Sequence, residues 1–265
     1  MTVQERNAEL VKLLQADFQG RFEPQFAWAM LMETLRYAPG LRGLWSAGVQ
    51  TSGGNLIDQS GQGGPLVYNG NPFMSVYNEF VPIYEYDGIG DYHLVATSAT
   101  NSIIGNEATI ATARRGLSWG GIWRYDNLKA DNFYLGKWIG ATNQRQFLLY
   151  SGNTGAMSAN VSSTGANNFS SPSITVAAGQ YFMMMGRYTP STEVKIFVNS
   201  QSQVNTTAIP ATLFAATSGV CLMAESGGGG PLDGACAVAW LAASAWSDAF
   251  YSILYNYAKG ALPIA

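Results

Sequence analysis

From Leu44 onward the apolar residues of this chain recur at every second position, in runs too short for helices and bounded by glycine, asparagine, serine or proline. Period two is the signature of half-buried strands. The runs cover residues 84–86, 93–97, 117–125, 146–150, 181–188, 193–198, 220–224 and 235–241, all rich in aromatic, β-branched or other large apolar residues. Short strands joined by glycine-rich turns bury their apolar faces by packing sheet on sheet, so the pattern predicts an all-β sandwich or jelly roll. In GLSWGGIWRYDNL, Leu117, Trp119, Trp123 and Tyr125 share one face, and Gly120 and Gly121 leave room where another backbone or ring must approach. The Gly/Ser/Asn/Gln-rich stretch 44–70 reads as the first strand and its loops.

The first 43 residues follow a different period. Thr2 with Glu5 three positions later forms a capping-box pattern, and Leu10, Val11, Leu14 and Phe18 recur at helical spacing over residues 2–18. A second helix is predicted to start near Pro24 and to stop at Ala38-Pro39-Gly40. It carries Phe26, Trp28, Met30, Leu31, Met32 and Leu35 and is apolar nearly all round, so most of its sides must be covered. We therefore expect residues 1–43 to be a helical attachment and oligomerisation segment whose six apolar residues bind sister subunits or another protein. The alternative is that the segment packs on the outer face of the sandwich formed by residues 44–265.

Composition excludes several function classes. Only 12% of the 265 residues are charged, with 14 Lys and Arg against 17 Asp and Glu, and no basic cluster exists to neutralise a phosphate backbone, so no nucleic-acid partner is expected. No apolar run reaches the roughly 18 residues of a membrane span and no secretory leader pattern is present, so no membrane partner and no general secretory export are expected. Two cysteines, Cys221 and Cys236, and one histidine, His93, are too few for a Cys/His metal cluster. The cysteines read either as a disulfide across a hairpin or as two small buried hydrophobes.

Five stretches in order are similar to motifs of a single family. DQSGQGGPL at 58–66, YDGIGDYHLVA at 86–96, LSWGGIWRYDNL with FYLGKW at 117–138, VAAGQYFMMMGRY with EVKIFVN at 176–199, and the closing PLDGACAVAWLAASAWSDAFYSILYN at 231–256 resemble the successive strands of laminin-G-like, concanavalin A-like jelly-roll domains. The resemblance spans roughly residues 44–260 and implies the jelly-roll fold, in a family that includes glycan binders, glycan-trimming enzymes and inert structural modules. It does not choose among them.

The candidate chemistry is sparse. Glu85 and Asp87 stand two apart on a strand, which places two carboxylates on one face as glycosidases of this fold do, but Ile89 and Gly90 occupy the positions where a further acid is wanted. The bland reading is a structural turn. Asp58, Asp87 and Asp91 could offer oxygens to calcium, yet the acids are few and loop capping is the simpler reading. His93 reads as a structural strand residue. Trp138, beside Lys137 and the Gly140-Ala141-Thr142-Asn143 loop, is the best candidate for an exposed sugar platform, against core packing. No catalytic residue, metal or cofactor is expected.

A charge-poor, amide- and hydroxyl-rich chain without an export signal, resembling this family, fits a non-enzymatic structural protein of a bacteriophage virion. Such a protein is assembled in the host cytoplasm as a decoration, head-fibre or tail-fibre module. The expected partners are other virion proteins, sister subunits in a homo-oligomer such as a trimer, and host-surface glycans. The alternative is a carbohydrate-active enzyme or soluble lectin of the same fold.

Overall fold

The computed structural model describes residues 23–62, 64–95 and 116–264. The helix expected over residues 2–18 lies outside the described residues. In chain order the elements are α1 (Pro24–Arg36), β1 (Leu41–Ser46), β2 (Leu66–Asn69), β3 (Phe73–Tyr77), β4 (Val81–Asp87), β5 (Tyr92–Val95), β6 (Leu117–Asn127), β7 (Asp131–Ile139), β8 (Gln144–Gly152), β9 (Ala156–Val161), β10 (Phe169–Ser170), β11 (Ile174–Thr175), β12 (Phe182–Thr189), β13 (Glu193–Val198), β14 (Gln201–Asn205), β15 (Cys221–Leu222), β16 (Asp233–Ala242) and α2 (Asp248–Ala261).

The strands form two antiparallel sheets. One runs β14-β13-β12-β6-β16-β4-β3, with β1 also on β16; the other runs β10-β9-β8-β7-β15-β5-β2, with β11 on β9. The chain is an all-β, jelly-roll-like sandwich, as the period-two pattern predicts. Leu117, Trp119, Trp123 and Tyr125 point together into the core between the sheets, against Tyr134, Phe147 and Phe182. The two glycines beside them provide the expected room. A Cβ on Gly120 would lie 2.5 Å from the Trp240 ring, and one on Gly121 would lie 2.4 Å from the Val238 carbonyl oxygen.

The first sheet is covered on its outer face as well. Alternate residues of β12 divide between the layers, with Phe182 and Met184 inside and Met183 and Met185 outside under the helices. That is why this strand is a continuous apolar run. Helix α1 has Pro24 in its first turn, where the missing N–H costs nothing, and it ends before Pro39. Its Ala27, Leu31 and Leu35 share one buried cluster with Trp240, Trp246 and Leu254. Helix α2 closes that layer. Ser247 caps it by accepting from the Phe250 N–H at 3.2 Å, and Asp248 stands in the first turn, where the helix dipole favours a carboxylate.

Two boundaries differ from the sequence reading. The first strand begins at Leu41 rather than Leu44, because Leu41 to Ser46 pair with Ala242 to Val238 on β16. The SDAFYSILYN end of the closing stretch, residues 247–256, is not strand but the start of helix α2 with its Ser247 cap, and Tyr251, Leu254, Tyr255 and Ala258 recur at helical spacing and are buried.

Candidate functional site

The outer face of the second sheet carries no helix among the described residues, and a groove of about 390 Å³ opens on it. Register dictates its lining. On β8, Phe147 and Leu149 enter the core, so Leu148 and Tyr150 face out; on β9, Met157, Ala159 and Val161 enter the core, so Ser158 and Asn160 face out. Pairing then aligns two rows across the strands. One is Phe133, Tyr150 and Ser158; the other is Gly136, Leu148, Asn160 and Ser170. Gly136 is needed there because a Cβ would meet the Phe147 carbonyl oxygen at 2.9 Å as well as Leu148 Cδ1 at 2.7 Å. Asp131, Trp138, Arg145 and Asn168 complete the lining.

The groove has an aromatic side and an amide-hydroxyl side. Phe133 and Tyr150 pack edge to face, with ring centroids 5.7 Å apart. The Tyr150 hydroxyl donates to Asp131 Oδ1 at 2.9 Å. Burial, and secondarily the Asp131 hydrogen bond and charge, push the Tyr150 phenol up to about 12, so it stays a neutral donor through the physiological range. On the opposite side Asn160 Oδ1 accepts from Ser170 Oγ at 2.5 Å and from Asn168 Nδ2 at 3.2 Å, while Asn160 Nδ2 donates to Ser158 Oγ at 3.1 Å. These four residues form one polar network set opposite two aromatic rings.

Trp138 is in this groove, and of its two readings from the sequence, sugar platform or core packing, the structure bears out packing. It is only 7% exposed, packed with Phe133 and Leu148, and the Arg145 guanidinium lies 5.6 Å from its ring centroid. Arg145 is held there by donating to Ala166 O at 2.8 Å and Gly140 O at 3.1 Å. The half-buried aromatic of the groove is Tyr150.

The other candidates are placed elsewhere. Glu85 is paired with Arg124 at 2.8 Å, and Arg124 also holds Asp126 at 2.8 Å. The Asp87 carboxylate accepts from the Ile89 N–H at 2.7 Å, capping the loop after β4. Asp91 is buried and accepts from the Asn71 and Asp87 N–H groups, tying the β2–β3 loop to the β4–β5 loop. Asp58 accepts from the Leu44 and Ser60 N–H groups and from Ser60 Oγ. Among the described residues no group of three or more His, Cys, Asp or Glu side chains is placed to hold a metal ion. His93 is fully buried, its Nδ1 2.8 Å from the Tyr86 hydroxyl and its Nε2 3.4 Å from Gly54 O. Cys221 and Cys236 are separate buried thiols, each pushed well above its ordinary range by burial.

The six apolar residues assigned to partner binding divide. Leu31, Met32 and Leu35 are buried inside the chain's own outer cluster, so their surface is unavailable to a partner, and that part of the expectation is corrected. Phe26 is exposed, while Trp28 and Met30 are half-buried and line an apolar groove of about 610 Å³ between α1 and the Phe80 and Pro82 end of β4. Sequence reasoning missed Tyr150, Asp131 and the Asn160 network. The available signal was the alternation of Ser158 and Asn160 with Met157, Ala159 and Val161, which marks a strand with a polar outer face.

No protein-family model matches this chain, and no curated protein matches it. Among solved structures it is similar to the binding domain of botulinum neurotoxin DC in complex with rat synaptotagmin II, at TM-score 0.61 and 9% identity over 82% of this chain and 51% of that one. The receptor binding domain of the botulinum neurotoxin C/D mosaic serotype matches at TM-score 0.59 and 12% identity, with the same coverages. The botulinum neurotoxin DC binding domain in complex with SialylT matches at TM-score 0.56 and 9% identity, again over 82% and 51%. The likeness is one of fold. The chain spans about half the length of these structures, and at such identities sandwich topology is what they share.

Proposed function

We propose that this chain is a non-enzymatic, carbohydrate-binding jelly roll of the laminin-G-like, concanavalin A-like kind. The observation that carries the reading is the groove over β7 to β10, where Phe133 and Tyr150 face the Ser158, Asn160, Asn168 and Ser170 network. A sugar has an apolar ring face and a polar rim, and a concave site with aromatic rings on one side and several amide and hydroxyl groups on the other matches both. That the three fold neighbours described above are themselves binding domains, one of them in complex with SialylT, supports the reading. In the same proposal the module is displayed on a bacteriophage virion, a setting supported by its charge-poor, amide-rich composition.

The test is a glycan panel on the full-length chain, followed by calorimetry of any hit with wild type, Tyr150→Phe and Asn160→Ala. Saturable binding that falls about tenfold in each variant is expected, from the loss of one or two hydrogen bonds. Silence across the panel, or binding indifferent to both substitutions, would sink the groove as the site. Turnover of a bound oligosaccharide would replace the reading by an enzymatic one. The virion setting is checked separately, by fractionating lysates of phage-infected cells; recovery of the chain only in particle-free fractions counts against it.

A further inference from the structure

We infer that β3 is a self-association edge, at which two copies of this chain pair antiparallel about a two-fold axis through Ser75. β3 ends the first sheet, so among the described residues the backbone groups on its outer side meet no strand. Such an edge is a template for another strand, and proteins that keep it single guard it with lysine, proline, a bulge or brevity. Phe73-Met74-Ser75-Val76-Tyr77 has none of these and carries no charge. The far edge of the same sheet, β14, presents Gln201, Ser202, Gln203, Val204 and Asn205, with Val204 as its one large apolar side chain.

The side chains are exposed on both faces of the strand. Phe73 is 60% exposed, Met74 44% and Val76 51%. A dyad through Ser75 sets Phe73 against the partner copy's Tyr77 and Met74 against the partner copy's Val76, with the small Ser75 meeting itself where two backbones come closest. The five-residue strand is thus self-complementary about its centre, which favours a second copy over a partner chosen by charge. The strand is also preformed. Asn78 and Glu79 take left-handed conformations, with φ of 48° and 66°, in the loop that folds β3 onto β4.

The patch continues into the groove beside α1, because Pro82 pairs with Val76 and also lines that groove with Phe80 and Met30. The exposed parts of Phe73, Met74, Val76 and Phe80 amount to a few hundred Å² per copy. A standard interface takes roughly 800 Å² per partner, so the ladder backbone and the groove rim would have to supply the remainder. An isologous contact closes at two copies.

Sedimentation velocity on the full-length chain at tens of micromolar is expected to show a dimer that becomes monomeric on Val76→Lys and on Phe73→Lys, with circular dichroism unchanged. The register is read independently with Ser75→Cys, whose thiol is half-exposed while both native thiols are buried. Directly opposed Cα atoms lie about 4.5–5.5 Å apart, within disulfide reach, so mild oxidation is expected to give a cross-linked dimer with Ser75→Cys and none with Phe73→Cys. A monomeric wild type, a trimer, a dimer that survives both lysines, or cross-linking through Phe73→Cys instead would each overturn the proposal. A monomer would leave the edge to a strand of another protein.

Discussion

The Arg145 guanidinium lies over the Trp138 ring at 5.6 Å and is fastened by two backbone carbonyls, so the tryptophan that looked in sequence like an open sugar platform is a roofed wall of the groove. Trp138→Ala is therefore expected to act as a core truncation and to destabilise the chain by about 3–5 kcal/mol. Arg145→Ala, which removes one cation–π contact and two hydrogen bonds, should cost about 1–3 kcal/mol. Urea unfolding of both variants measures this. A Trp138→Ala chain as stable as wild type would mean that the ring is a surface platform after all.

His93 supplies a pH dependence with a definite sign. Burial holds its folded-state value near 4, against an ordinary value of 6.5, so the imidazole is neutral in the folded chain and accepts the Tyr86 hydroxyl bond at Nδ1. A depressed histidine contributes stability that is whole above about pH 6.5, is lost as pH falls from there toward 4, and changes no further below that. The full loss is about 3 kcal/mol. Between pH 7 and 5 the wild type should lose stability faster than His93→Gln, which keeps a polar side chain without the titration. Parallel slopes in chemical denaturation would refute it.

Gly120 and Gly186 test the packing on β6 and β12. A Cβ at Gly120 would stand 2.5 Å from the Trp240 ring and 2.7 Å from the Met184 carbonyl oxygen; one at Gly186 would stand 2.5 Å from the Trp119 ring. Neither glycine has a left-handed φ, so the cost of an alanine is overpacking alone. Each substitution should destabilise by about 1–3 kcal/mol, read as a lower denaturation midpoint.

Helix α1 belongs to the energetics of the sandwich. Leu31 and Leu35 are fully buried, so Leu31→Ala should cost about 2–5 kcal/mol. Deleting residues 1–38, which leaves β1 whole, should yield insoluble protein, since it strips the α1 cover from the Trp240 and Met185 face. A soluble, folded β protein from that deletion would instead return α1 to the role of a detachable segment.

What was legible in the sequence was whatever local periodicity and sterics decide. Alternation along β6 named the core face carrying Trp119 and Trp123, and Pro24 marked where α1 begins. The candidate site was far less legible. Tyr150, Asn160 and Ser170 come from β8, β9 and β10, and they become one lining only because the pairing register sets them in rows; a slip of one residue would turn each into the core.

By itself, then, the sequence determined the class of fold. Period two, glycine turns and large apolar residues leave a two-layer sandwich as the way to bury those faces, and a nearly all-round apolar helix demands cover. Only the tertiary structure decided which surfaces are spent and which remain. It set Leu31 and Leu35 on the chain's own sheet, folded the 247–256 tail into the helix beside them, roofed Trp138 with Arg145, and left β3 at an edge. The physical reason is that exposure is a property of long-range neighbours. A residue's type and spacing say that it must be buried or bonded, whereas the partner that does so comes from strands and helices up to some 200 positions away, as Trp246 Nε1 shows by donating to Pro39 O.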